Sequence, residues 1–372
     1  MKLKVITLSI LAAIGSESMA ANVYDKDDTR LDVFGSVSSM FCTDKAARVL
    51  KTSSYKHNDD NTLHTAVDFG VAGSSRINDA VTAIAFTQWY APTDSNGFDS
   101  FKTKAQYVGI DASSYGILTF GRGDNAFYTV TGVTDIYNQL DSYVHDHYAF
   151  GDYQQGLIMY SLSAMGMDFR ASYQLAVDDV ANSDVDITNG ASFAIAAKLA
   201  NKFSFAYGLS YYDLRSPTNG NGSSFYQGHM RRMYHISDNQ KATALCPSWK
   251  IDKGLALSYG DFGDGLYVAF NATVTKYDNY TNHLYAYELM GNYAFENGLS
   301  FSLGYGIKRF DGANVISDLT FGAYYKLIDN VIIFLEGCID LNGKADRYFE
   351  YQEIEDECLN KNKALLGVQY SY

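Results

Sequence analysis

Leu299–Lys308 reads LSFSLGYGIK: Leu299, Phe301, Leu303, Tyr305 and Ile307 are large and apolar, while Ser300, Ser302, Gly304, Gly306 and Lys308 between them are small or polar. Strand side chains point to opposite faces with period two, so this stretch is a ribbon with one greasy face and one hydrophilic or unobstructed face. A soluble sandwich can use the same pattern. Segments of this kind recur along the whole chain, run for about ten residues and carry aromatic residues at their ends, which together match strands crossing a bilayer as a closed barrel.

Reading outward from that segment, alternation and turn signals place strands at 30–41, 62–73, 79–91, 102–112, 117–122, 153–162, 167–177, 189–199, 203–213, 253–261, 266–277, 283–295, 299–310, 316–327, 331–341 and 362–372. The expected fold is therefore all-β, a transmembrane antiparallel β-barrel of 16 strands. Short connections at Ser74–Asn78, Ser163–Gly166, Ala200–Lys202, Glu296–Gly298 and Ile328–Asn330 alternate with longer polar ones, and 214–252 is the longest segment without a clear pattern. Short turns on one side and long loops on the other are the signature of an outer-membrane barrel, and an even count puts both termini on the short-turn side. Sixteen strands leave an aqueous lumen, where about eight would be filled by side chains. Alternation directs Glu288, Asn292, Ser302, Lys308, Glu336 and Asp340 inward and Leu289, Leu303 and Leu335 toward lipid.

The first twenty residues stand apart. Lys2 and Lys4 precede the apolar run Val5–Ile14, and Ser18-Met19-Ala20 offers a small-x-small cleavage site. This is the layout of a secretory signal, removed after Ala20. The expected organisation is a leader over 1–20 and a single barrel domain over 21–372.

Composition agrees with many strands and tight turns. The chain has 31 Tyr, 22 Phe and 31 Gly against 3 Pro, and proline, which cannot donate to a ladder, is confined to edges and loops. Pro92, Pro217 and Pro247 all fall in expected loops. Mean hydropathy is −0.17, and beyond the leader no apolar run reaches the length a membrane-spanning helix needs. A barrel passes that test because only the outward half of each strand is apolar. The formal charge of −13 argues against nucleic acid as a partner. Acidic residues gather in expected loops at Asp178, Asp179, Asp184 and Asp186 and at Glu353, Glu355, Asp356 and Glu357. They read as solvated loop tips or as oxygen ligands for divalent cations bridging to lipopolysaccharide.

A family resemblance enters at Asn22–Gly35, NVYDKDDTRLDVFG. It returns at Lys102–Arg122, KTKAQYVGIDASSYGILTFGR, at Gly132–Asp135, GVTD, and at the aromatic C-terminus Gly367–Tyr372, GVQYSY. In this order and spacing they resemble the trimeric general diffusion porins of Gram-negative outer membranes. The resemblance implies a water-filled channel for passive diffusion of ions and small hydrophilic solutes, a homotrimer in outer-membrane lipid and lipopolysaccharide, and an assembly signal ending in Tyr372. It also implies that the third loop, 123–152, folds into the barrel and sets its carboxylates against basic residues on the wall. Asp135 matches the family's loop aspartate; Gln139 stands where glutamate is common, with Asp141 or Asp146 as replacements for the missing charge. On the wall, Lys104 and Arg122 match family arginines. Ser36 replaces a lysine, Asp68 falls where an arginine is usual, and Tyr153 falls at another arginine position. Lys102 and Arg170 are further inward candidates. The expected constriction is thus Asp135, Gln139, Asp141, Lys102, Lys104, Arg122, Asp68, Tyr153 and Arg170, and a wall this poor in arginine predicts a cation-preferring pore.

Cys42, Cys246, Cys338 and Cys358 are unusual beside that resemblance. An exported chain meets an oxidising compartment, and four cysteines allow three pairings. Cys338 with Cys358 would staple the last long loop, leaving Cys42 with Cys246 across the mouth. His145-Asp146-His147 could supply metal ligands but has no supporting motif, so a polar loop is the favoured reading. His229 and His235 flank Arg231 and Arg232, residue types that suit an anion or a lipopolysaccharide phosphate. No nucleophile elbow or phosphate-binding loop occurs. The expectation is a passive channel with no catalysis and no cofactor; a substrate-specific channel and a non-conducting adhesin or structural barrel are the alternatives.

Overall fold

The computed structural model describes residues 20–43, 63–93, 102–140, 144–145, 153–178, 186–199, 202–215, 248–278, 283–310, 312–341, 343 and 362–372. Among the described residues, seventeen strands form one antiparallel sheet. They are β1 (Ala21–Lys26), β2 (Thr29–Cys42), β3 (His64–Asn78), β4 (Val81–Thr93), β5 (Lys102–Asp111), β6 (Ile117–Gly123), β7 (Gln154–Ala164), β8 (Met167–Gln174), β9 (Asp186–Lys198), β10 (Phe203–Arg215), β11 (Trp249–Asp261), β12 (Asp264–Tyr277), β13 (Leu284–Ala294), β14 (Leu299–Phe310), β15 (Ala313–Ile328), β16 (Val331–Asp340) and β17 (Lys363–Ser371). β2 to β17 pair in sequence order, and β17 pairs back onto β2, so sixteen strands close into a barrel. Closure leaves no open sheet edge within the ring, which a structure spanning lipid requires.

The sixteen strands expected from alternation are β2 to β17. β1 was not expected, because its sequence ANVYDK is charged and barely alternates. It pairs with Thr29–Val33 of β2 through the turn Asp27-Asp28, whose φ angles of 53° and 58° give the twist a tight hairpin needs. Tyr372 exchanges backbone hydrogen bonds with Gly35 at 2.9 and 3.0 Å. β17 and β1 therefore lie in line along one edge of β2, one covering Ser36–Cys42 and the other Thr29–Val33.

Three places differ from expectation. Ser74–Asn78 is not a turn: β3 continues through Asn78, and the turn is Asp79-Ala80. Pro92 lies in β4 rather than in a loop. It pairs with Ala66 on the β3 side, whereas on the β5 side the ladder ends at Tyr90–Lys102. The missing N–H is thus tolerated at a strand end. Asp186 opens β9 and pairs with Arg215 at 3.4 Å rather than sitting in the preceding loop.

The opening segment is β14, and its burial alternates as its sequence does: Ser302, Gly304, Gly306 and Lys308 are buried, while Phe301, Leu303 and Tyr305 are exposed. Leu289, Leu303 and Leu335 are about half exposed on the outside, and Glu288, Asn292, Ser302, Lys308 and Glu336 are buried inside. The exposed apolar girdle is where lipid replaces a core. No helix among the described residues is long and apolar enough to cross a membrane. The expected leader up to Met19, and with it Asp141, Asp146, His147, Pro217, His229, Arg231, Arg232, His235, Cys246, Pro247, Cys358 and the acidic residues Asp179, Asp184, Glu353, Glu355, Asp356 and Glu357, lie outside the described residues.

Candidate functional site

Past β6 the chain does not run outward. Asn125 Nδ2 donates to the Tyr212 hydroxyl at 2.5 Å, and the Ala126 N–H donates to Ser172 Oγ at 3.0 Å. A single helical turn, α1 (Tyr128–Thr131), then packs Phe127 and Val130, both fully buried, onto the inner wall. Gly208 and Gly254 make room for it: a Cβ on Gly254 would meet Phe127 Cζ and Val130 Cγ1 at 3.0 Å. Glycine here serves the close approach of a neighbouring side chain. Ala206 and Ala256 complete this apolar seat inside a polar lumen.

Beyond α1 the loop travels along the wall on hydrogen bonds. Asn271 Nδ2 donates to Thr134 Oγ1 at 2.7 Å, which donates to Glu288 Oε2 at 2.5 Å, and the Tyr267 hydroxyl donates to the Val133 carbonyl at 2.7 Å. Tyr137 donates to the Thr320 carbonyl at 2.9 Å. Next, Glu336 collects three consecutive backbone N–H groups, from Asn138 at 2.6 Å, Gln139 at 3.0 Å and Leu140 at 3.1 Å, together with the Tyr324 hydroxyl at 2.7 Å. Leu140 packs against Met40, Cys42, Phe334 and Leu365 on the seam between β16, β17 and β2. A fully buried carboxylate is costly unless its lone pairs are filled; here loop donors fill them. His145, further along, returns to Thr273 and Glu288.

The opposite wall stays accessible. Asp68 on β3 and Lys104 on β5 form an ion pair at 2.8 Å with side-chain exposures of 21% and 36%. Gln88 on the strand between donates to the other Asp68 oxygen at 2.7 Å, and the Lys104 ammonium stands 5.3 Å over the Tyr90 ring. A bulge makes this possible. Between the pairs Thr87–Gln106 and Trp89–Thr103 the ladder absorbs one extra residue on β5, which re-aims Lys104 without moving Tyr107 out of its stack with Phe86. Arg122 Nε donates to the Thr103 and Lys104 carbonyls at 2.9 and 3.1 Å, holding the bulge.

The remaining sequence candidates separate. Lys102 pairs with Tyr90 at the start of β5 and is exposed. Tyr153 joins the inner cluster of Phe34, Phe86 and Ala105. Arg170 shares a face with Ser172 on β8, away from the Asp68–Lys104 pair. On the loop, Asp135 is exposed and accepts from the Tyr128 hydroxyl at 2.9 Å, while Gln139 engages the wall through its backbone. Among the cysteines, Cys42 is buried and Cys338 accepts from Thr320 Oγ1 at 3.8 Å; the sequence pairs each with a residue outside the described ones. Sequence reading missed Glu288, Glu336, Asn271 and Tyr137 as loop anchors. The inward alternation of Glu288 and Glu336 is visible in the sequence, but nothing local marks which inward acceptors a distant loop will use, and Tyr137 belongs to the loop itself. His145 is a buried wall contact, and among the described residues no group of three or more His, Cys, Asp or Glu could hold a metal.

A closed antiparallel barrel with a lipid-compatible exterior, a polar interior and a loop laid along that interior defines an outer-membrane channel protein. The Gram-negative porin family model matches residues 7–338, and the chain belongs to that family. It is an outer-membrane porin, and this places it among channels rather than enzymes. Outer membrane porin PhoE of Enterobacter cloacae is 25% identical over 82% of this chain and 81% of its own length. Outer membrane porin C of Serratia marcescens is 24% identical over 93% and 94%. Among solved structures, Salmonella typhi OmpF in complex with daunomycin superposes with a TM-score of 0.71 at 16% identity, covering 95% of this chain and all of that one. OmpT of Vibrio cholerae, with its loop L8 deleted, gives 0.61 at 12% identity, covering 93% and 100%. At these identities the structures speak for the fold.

Proposed function

We propose that ions and small hydrophilic solutes diffuse passively through the part of the lumen left between the loop 123–152 and the β3–β6 wall, with a preference for cations. The observation that carries this reading is the pairing of Lys104 with Asp68, which cancels the accessible wall cation at contact distance. Arg122 is engaged with backbone carbonyls, and Asp135 stays exposed on the loop. Charges beyond a Debye length of about 8 Å from an ion's path are largely screened, so these few groups outweigh the many acidic loop tips. At about 4 Å, two unit charges interact by roughly 4 kcal/mol at an effective dielectric of 20, enough to bias ion choice severalfold. Asp68, Lys104, Lys102, Arg122, Tyr153, Asp135, Gln139 and Asp141 are the residues we assign to the narrow part, with Arg170 further along the wall.

The same reading includes cleavage after Ala20, assembly as a homotrimer that buries part of the outward apolar face, lipopolysaccharide contacts through the long loops, and recognition of the C-terminal strand ending in Tyr372 by the assembly machinery. Planar-bilayer recording of the refolded mature protein in a salt gradient tests it. The expected result is stepwise, non-saturating conductance with a reversal potential on the cation side. A clear anion preference overturns the assignment of the narrow part. Saturable block by one solute would instead define a specific channel, and the absence of steps a structural barrel.

A further inference from the structure

One carboxylate on the wall holds two limbs of the inserted loop. Glu288 Oε2 accepts from Thr134 Oγ1 at 2.5 Å on the outgoing limb and lies 3.1 Å from His145 Nε2 on the returning limb. His145 Nδ1 is 2.9 Å from Thr273 Oγ1, and both His145 and Glu288 are 2% exposed. Val144 sits beside this contact over Gly306, where a Cβ would come within 2.6 Å of its Cγ2. A ring with its proton on Nε2 donates to the carboxylate and accepts from the Thr273 hydroxyl, so both nitrogens are satisfied in a dry site. Glu288 thus meets the loop at Thr134 and again at His145, and between these contacts stand the exposed Asp135 and the three N–H donors bound to Glu336.

We propose that His145 is a positioning residue, a latch that holds the loop against the wall at Val144 and His145 and so sets how far the loop reaches into the passage. This rests on the reading that the loop narrows the lumen. Without the latch, Glu288 still holds Thr134 and Glu336 still holds Asn138 to Leu140, while Val144 and His145 come off the wall. Losing a hydrogen bond to a charged group shifts the latched-to-free ratio on the order of tenfold.

The test compares wild type, His145→Ala, His145→Gln and Glu288→Ala, each first shown to refold by its heat-modifiable migration. Hydrogen exchange of the peptide spanning 134–145 is measured alongside single-channel current. His145→Ala is expected to speed exchange on the order of tenfold and to add frequent excursions to a second current level. His145→Gln, whose amide can both donate to Glu288 and accept from Thr273, is expected to restore slow exchange and quiet current. Glu288→Ala is expected to match or exceed His145→Ala, with the double variant no worse than Glu288→Ala alone. Unchanged exchange in His145→Ala overturns the latch, as does His145→Gln behaving like alanine. If the wild type carries no current while exchange still accelerates in His145→Ala, the latch stands and the channel reading falls.

Discussion

The two halves of the inner wall arise from the same every-other-residue pattern and end in different states. On the side running from β8 to β17, Glu288, Asn271 and Glu336 are buried under the loop and have become its anchors. On the side of β3 to β6, Asp68 and Lys104 stay partly accessible and pair with each other. Inward polarity is thus a permissive property, and coverage decides whether a lumen residue acts as scaffold or as lining. The buried side supplies hydrogen-bond energy, since its acceptors have lost water. The accessible side supplies field, since its charges still face the solution.

That contrast can be broken most forcefully at Glu336. Glu336→Ala leaves three loop N–H groups and the Tyr324 hydroxyl without their acceptor, and a loss of about 3 kcal/mol is expected in urea-driven refolding into lipid vesicles. If its stability matched wild type, the claim that this wall anchors the loop would be lost. Somewhat smaller is the effect of filling the apolar seat. Gly254→Val pushes branched methyl groups into Phe127 and Val130, an overpacking cost of about 1 to 3 kcal/mol, and the displaced loop should alter single-channel conductance; refolding curves and bilayer recording together read both effects. On the accessible side the order reverses. Lys104→Gln leaves Asp68 uncompensated and should raise cation preference severalfold in reversal-potential measurements, while stability changes by less than about 1 kcal/mol because the pair is partly exposed. Asp68→Asn should shift selectivity the opposite way by a similar factor. Both selectivity changes should shrink in molar salt, where the Debye length falls to about 3 Å; a shift that persisted there would place these groups in direct contact with the permeating ion.

How much was legible in advance follows the range of the forces involved. The strands were readable because alternation is local, and Leu299–Lys308 keeps in the structure the two faces its sequence shows. β1 was not, because a charged edge strand draws its ladder bonds from β2 and not from a greasy face of its own. The end of β3 was misplaced since Ser74–Asn78 is polar enough to look like a turn. Of the site, the family likeness pointed to Asp68, Lys104 and Arg122, which the structure brings near one another on β3, β5 and β6. It missed the β5 bulge that aims Lys104, because a bulge is a disagreement between two strands and neither strand shows it alone.

By itself, the amino-acid order determined the number of ring strands, the side of the sheet each residue faces and the sidedness of short and long connections. All of these arise from the period of a strand and the geometry of tight turns. The tertiary structure alone decided which inward residues the loop covers. Thr134 finds Glu288 across 154 residues, and Asn138 finds Glu336 across 198. Such partners are chosen by closure of the ring, which brings strands from opposite ends of the chain around one lumen. A buried carboxylate then takes whichever donors closure places within reach.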